Sequence, residues 1–109
     1  MSMLGKREYL NASCWIRMMT DMPMELRDSL RLVHDLKTDK GMRGKGQGSK
    51  LLESVIDEAD ISQKILILMP DSVMLQKWYS KFGFALVQEK PALMMRQPKG
   101  IGDENGPKG

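Results

Sequence analysis

Residues 40 to 53 read KGMRGKGQGSKLLE, with Gly44, Gly46 and Gly48 at alternate positions among Lys40, Arg43, Lys45 and Lys50, just ahead of a helical pattern. Glycines let a backbone approach a ligand without intervening side chains. Unpaired N–H groups and the positive end of the helix dipole then converge on the same point, which suits a phosphate-bearing ligand. A Walker A loop started at Gly41 reaches Gly46 but meets Gln47 where its lysine must stand, so a nucleotide triphosphatase is disfavoured. A dinucleotide fingerprint started at Gly46 finds Gly48 and then Leu51 in place of its third glycine. The ligand has to be identified from the elements around the loop.

Ahead of the loop, SLRLVHDLK (29 to 37) alternates, with Leu30, Leu32, His34 and Leu36 on one face and Arg31, Val33, Asp35 and Lys37 on the other, which predicts a strand. After it, Leu51, Leu52, Val55, Ile56 and Ala59 form one stripe of an amphipathic helix over about 47 to 60. KILILM (64 to 69) is a continuous apolar run, as in a parallel strand covered on both faces. Strand, helix and strand make a βαβ unit. Past Pro70, Asp71 or Ser72 can cap a second helix with Leu75, Trp78, Tyr79 and Phe82 along one side, and Gly83 can end it. FALVQ and ALMMRQ predict two further strands joined through EKP. Residues 1 to 28 fit helix and strand equally well until DMPM interrupts them.

The totals bound the rest. A chain of 109 residues with 41% hydrophobic and 28% charged residues fits one globular domain, taken as residues 1 to 98, with a polar tail over 99 to 109 expected to be disordered. There is no apolar run of membrane-spanning length and no secretory pattern at the start, and the lone Cys14 fits a reducing cytoplasm. The +3 formal charge is mild and mixed in sign; without aromatic interleaving, a zinc-ligand pattern or a helix-turn-helix, neither nucleic acid nor metal is expected as a partner. Eleven methionines serve either as adaptable core filling or as an exposed docking surface.

Arg43, Gly46 and Gly48 satisfy Arg-x-x-Gly-x-Gly between a strand and an amphipathic helix, and WYSKFGF (78 to 84) supplies Tyr-x-x-x-Gly-Phe at the end of the next helix. In these motifs and in the closing hairpin through PALMMRQP, the sequence resembles the GNAT superfamily of N-acetyltransferases over about residues 29 to 98. The resemblance implies an α/β fold with a mixed central sheet flanked by helices, a βαβ core that binds acyl-CoA and a C-terminal β-hairpin. It implies acetyl-CoA as cofactor: the pyrophosphate on Arg43, Gly44, Lys45, Gly46, Gln47, Gly48 and Ser49, and the pantetheine arm along Leu36, Lys37 and Thr38 where two parallel strands part. Ser72 stands where the family usually has an asparagine that contacts CoA.

By the same resemblance Tyr79 would protonate the departing sulfur, and His34, the one histidine, occupies a place where some members carry a base. The ordinary imidazole pKa of about 6.5 suits that task. His34 could equally be a packed strand residue and Tyr79 a core aromatic, while Asp35 reaches the His34 face only if a bulge intervenes. The expected reaction is direct acetyl transfer to a primary amine on a protein, a small molecule or an RNA-linked group. Only about 28 residues precede the central strand, so the acceptor half of the site is expected to be reduced or completed by a second copy in a homodimer. The alternative is a GNAT-like binding module that docks onto a protein partner.

Overall fold

A computed structural model describes residues 3–38 and 46–99. Six strands form one mixed sheet in the order β1-β2-β3-β4-β6-β5. They are β1 (Gly5–Tyr9), β2 (Ala12–Met18), β3 (Leu30–Thr38), β4 (Ile65–Leu68), β5 (Ala85–Glu89) and β6 (Ala92–Arg96), with helices α1 (Met24–Arg27), α2 (Gln47–Ser62) and α3 (Val73–Ser80) between them. Only β3 and β4 pair in parallel.

β5 and β4 are each antiparallel to β6, so β3-α2-β4 and β4-α3-β5 are both parallel crossovers. Right-handed connections carry both helices to the same face of the sheet. The core agrees: Leu51, Leu52, Val55 and Ala59 of α2 and Tyr79 of α3 join Cys14, Val33, Leu66, Leu68 and Met94 in one cluster. The predicted βαβ unit, second helix and closing hairpin are all present.

Residues 3 to 28 form a hairpin and a short helical turn. In β2, Ala12, Cys14 and Ile16 point into the core, while Trp15 and Arg17 point from the other face. Pro23 leads into α1, and buried Arg31 ties this region to β3 by donating to the carbonyls of Met3 (3.0 Å), Asp28 (3.0 Å) and Leu30 (2.8 Å).

The expected alternation along β3 breaks near its end. Trp15 pairs with His34 but Ser13 pairs with Lys37, so β3 holds one extra residue there, and Asp35 adopts φ +57. This bulge turns Leu36 onto the core cluster that contains Val33, away from the Leu30, Leu32 and His34 face.

Candidate active site

The site begins where two strands part. β3 and β4 pair from Leu30–Ile65 to Leu32–Ile67 and no further, whereas β3 continues to Thr38 alongside β2. A cleft of about 1280 Å³ opens in the gap, at the C-terminal ends of the parallel strands. Ligand sites in open α/β sheets favour such places.

The cleft gathers His34, Leu36, Lys37, Thr38, Gly46, Gln47, Gly48, Ser49 and Tyr79. Ser72 does not line it; its side chain instead accepts the Leu75 N–H at 3.1 Å as the N-cap of α3. Arg43, Gly44 and Lys45 lie outside the described residues. Sequence reading missed the wall formed by Met69, Pro70 and Asp71 after β4 and by Met74 and Trp78 on α3. The signal was their position, directly after a buried parallel strand.

The start of α2 is shaped for an anion. Gly46 has φ +80, which glycine alone adopts cheaply, and a Cβ there would meet nothing within 4 Å among the described residues. Its carbonyl takes the first intrahelical bond, from the Lys50 N–H at 3.1 Å, so the N–H groups of Gln47, Gly48 and Ser49 precede the helix's own acceptors. A Cβ on Gly48 would stand 3.4 Å from Thr38 Oγ1 and 4.0 Å from Trp78, filling the cradle between them. Gln47 is buried, and its side-chain oxygen has no partner among the described residues. Three first-turn donors, a glycine-lined approach and an open β3 edge fit a slender phosphate-bearing ligand such as CoA.

Tyr79 is 7% exposed and held by ring edges: Trp78 at 5.1 Å and Phe84 at 5.8 Å between centroids. Burial, reinforced by the Asp71 carboxylate and by Cys14, pushes its phenol up to about 12. Tyr79 therefore carries a proton at any physiological pH. Burial likewise pushes the Cys14 thiol up to about 11, against an opposing pull from Arg7.

These shifts predict an alkaline limb of stability. The unfolded chain releases the two protons near their ordinary values of 9.0 and 10.0, before the folded chain does. Their stabilising contribution is complete below about pH 9 and is lost as pH rises through the folded values. Urea midpoints measured from pH 8 upward should therefore fall, and Cys14→Ala should flatten the first part of the fall.

At the other end of the cleft, the bulge brings the Asp35 carboxylate 3.2 Å from His34 Nδ1. Arg17 donates from Nε to His34 Nε2 at 2.8 Å. In this geometry Nε2 accepts the Arg17 bond, and Nδ1 lies on the side of the Asp35 carboxylate. Among the described residues, no group of His, Cys, Asp and Glu is placed to hold a metal ion.

The fold has clear counterparts among solved structures. The acetyltransferase of the GNAT family from Staphylococcus aureus Mu50 matches with a TM-score of 0.60 and 19% identity, over 80% of this chain and 59% of its own. The chain has the GNAT fold. The N-acetyltransferase YlbP of Bacillus subtilis, solved with coenzyme A, matches at 0.61 and 14% identity over 80% of this chain and 60% of its own. The GNAT-family N-acetyltransferase YhbS of Escherichia coli, also solved with CoA, matches at 0.57 and 16% identity over 79% and 49%. No protein-family model and no curated protein matches the sequence. This GNAT-fold chain spans between 49% and 60% of the length of the three counterparts.

Proposed function

We propose that the chain is an N-acetyltransferase that moves the acetyl group of acetyl-CoA to a primary amine by direct transfer in a ternary complex. One observation carries the reading: the glycine cradle of α2, the open edge of β3 and the buried phenol of Tyr79 meet in a single cleft. Bound acetyl-CoA supplies an activated acetyl thioester. The N–H groups of Gln47, Gly48 and Ser49 would hold its pyrophosphate, and Arg43, Gly44 and Lys45, next to them in the sequence, would add charge and bare backbone. The edge of Leu36, Lys37 and Thr38 orients the pantetheine arm. Tyr79 presents its hydroxyl proton to the leaving sulfur, and His34 Nε2 accepts a proton from the amine once Arg17 no longer occupies it.

The amine belongs to a protein, a small molecule or an RNA-linked group, and a cytoplasmic setting accords with the lone buried Cys14. Among the described residues no helix is long and apolar enough to cross a membrane. A homodimer could extend the acceptor side. The exposed Trp15 and Met74 favour a second reading, a GNAT-fold module that docks onto a protein.

Calorimetric titration with CoA and acetyl-CoA tests the first. The wild type should bind both, and Gly46→Glu, which sets a carboxylate on a strained backbone before the helix, should weaken binding at least about tenfold. Gly48→Val should do the same by filling the cradle. Wild-type protein that binds neither ligand at millimolar concentration would exclude the transferase and favour the docking module.

A further inference from the structure

The arginines of the described residues differ in one respect. Arg7 pairs with Glu58 at 2.7 Å, Arg96 with Asp60 at 2.8 Å, Arg31 with backbone carbonyls and Asp28, and Arg27 with the Met22 carbonyl. Arg17 alone among them reaches neither a carboxylate nor a carbonyl; its one bond is from Nε to His34 Nε2. Its guanidinium also lies 5.7 Å from the Trp15 ring centroid. A histidine and an aromatic face therefore hold an exposed cation beside the cleft, where His34 lines the wall and Arg17 stands just outside it, and both its terminal nitrogens lack partners among the described residues. A guanidinium fixed in this way is a ready receptor for a carboxylate, which it binds through two parallel hydrogen bonds. On β1, Lys6 and Glu8 pair with each other at 3.1 Å.

Resting on the transferase reading, we infer that Arg17 selects acceptors carrying a carboxylate as well as the amine, and that binding this carboxylate releases His34. A protonated imidazole has a donor on each nitrogen and cannot accept from Arg17. His34 can take a proton only after the guanidinium leaves Nε2. A carboxylate that takes Nε together with one terminal nitrogen displaces the bond to His34 Nε2 as the amine arrives. The ammonium N–H bond then breaks, an Nε2–H bond forms, and Asp35 at Nδ1 faces the resulting positive charge. Arg17 is in this sense the specificity residue, and Asp35 a positioning residue.

The test uses the full chain and matched probes: glycine, β-alanine, 4-aminobutyrate and 6-aminohexanoate, each beside its amide. In NMR titrations of nitrogen-15-labelled protein, the Arg17 Nε–H signal should move saturably with at least one acid and not with its amide. In turnover, the ratio of kcat/KM for that acid over its amide should be about tenfold or more, and should fall to about one in Arg17→Ala. Melting curves establish that the exposed Arg17→Ala variant is folded. Equal responses to every acid and amide, or a preference that survives in Arg17→Ala, would overturn the inference. Failure of the underlying reading looks different: an Arg17 signal that moves with acids in a protein that binds no CoA keeps the carboxylate site and removes the transferase.

Discussion

Replacing Tyr79 with phenylalanine should lower kcat by about 10²-fold while leaving CoA affinity within about twofold of wild type. The substitution keeps the ring, and with it the edge contacts to Trp78 and Phe84, so the core around α3 stays filled. What is lost is one hydroxyl in the wall of the cleft. The size of the effect follows from acidity. With the phenol pushed up to about 12, full proton transfer to a thiolate of ordinary pKa near 8.5 is uphill by about 5 kcal/mol. Tyr79 therefore acts chiefly by donating a strong hydrogen bond as negative charge builds on sulfur, which places it at the lower end of general-acid contributions. Steady-state kinetics on wild type and variant, with binding measured separately, checks this. An unchanged kcat would assign Tyr79 to packing alone, as half of the WYSKFGF pattern already does for Phe84, a core residue 3% exposed.

Much of this arrangement was legible because its signals are local. The α2 stripe, the apolar run of β4, the Ser72 cap and the glycine at 83 each depend on residues within a turn or two of one another, and each element lies within two residues of its expected place. Gly83 shows why that residue is required: it has φ +94, and a Cβ there would stand 3.2 Å from Arg96 Nε. The opening hairpin was not legible. Its turn at Leu10 and Asn11 contains neither glycine nor proline, and the positive φ, +53, falls on Leu10 rather than on the turn-favouring Asn11. In β2 the outward position is held by Trp15, which reads as a core residue and obscures the alternation of Ala12, Cys14 and Ile16.

The bulge in β3 is the other failure, and it matters more for the site. An extra residue in one strand is defined by its partner strand, which periodicity within a single segment does not sense. Strict alternation places Asp35 on the face away from His34 and Leu36 on the same face as His34. The bulge reverses both relations, making Asp35 the partner of His34 Nδ1. The contact from Arg17 depends equally on the pairing of β2 with β3. The histidine was thus visible in the sequence and Asp35 entered only on condition of a bulge, whereas the Arg17 contact was not visible at all.

Asp60→Ala should destabilise the fold by about 3 kcal/mol, the lower end for breaking a buried ion pair by removing one partner. Asp60 accepts from Arg96 at 2.8 Å and from the Lys99 N–H at 3.0 Å, while Arg96 Nε donates to the Phe82 carbonyl at 2.9 Å. The carboxylate thus fastens the end of α2 to β6 and, through Arg96, to the turn that follows Tyr79. Arg96 is 8% exposed and would be left charged without its counterion. For a domain of this size the loss corresponds to a melting temperature lower by on the order of 15 °C. Burial alone would raise the Asp60 carboxyl, but hydrogen bonds and charge from Arg96, with the Lys99 N–H, outweigh it and hold it below its ordinary 3.8. A depressed carboxyl stabilises the fold above its unfolded pKa and loses that contribution as pH falls through the folded value. The difference in stability between wild type and Asp60→Ala should therefore narrow on acidification below about pH 4. Replacing both partners, as Asp60→Leu with Arg96→Met, should recover most of the loss, because no buried charge is then left unpaired. A double variant as unstable as Asp60→Ala would assign the cost to lost backbone contacts at Phe82 and Lys99 rather than to the stranded guanidinium.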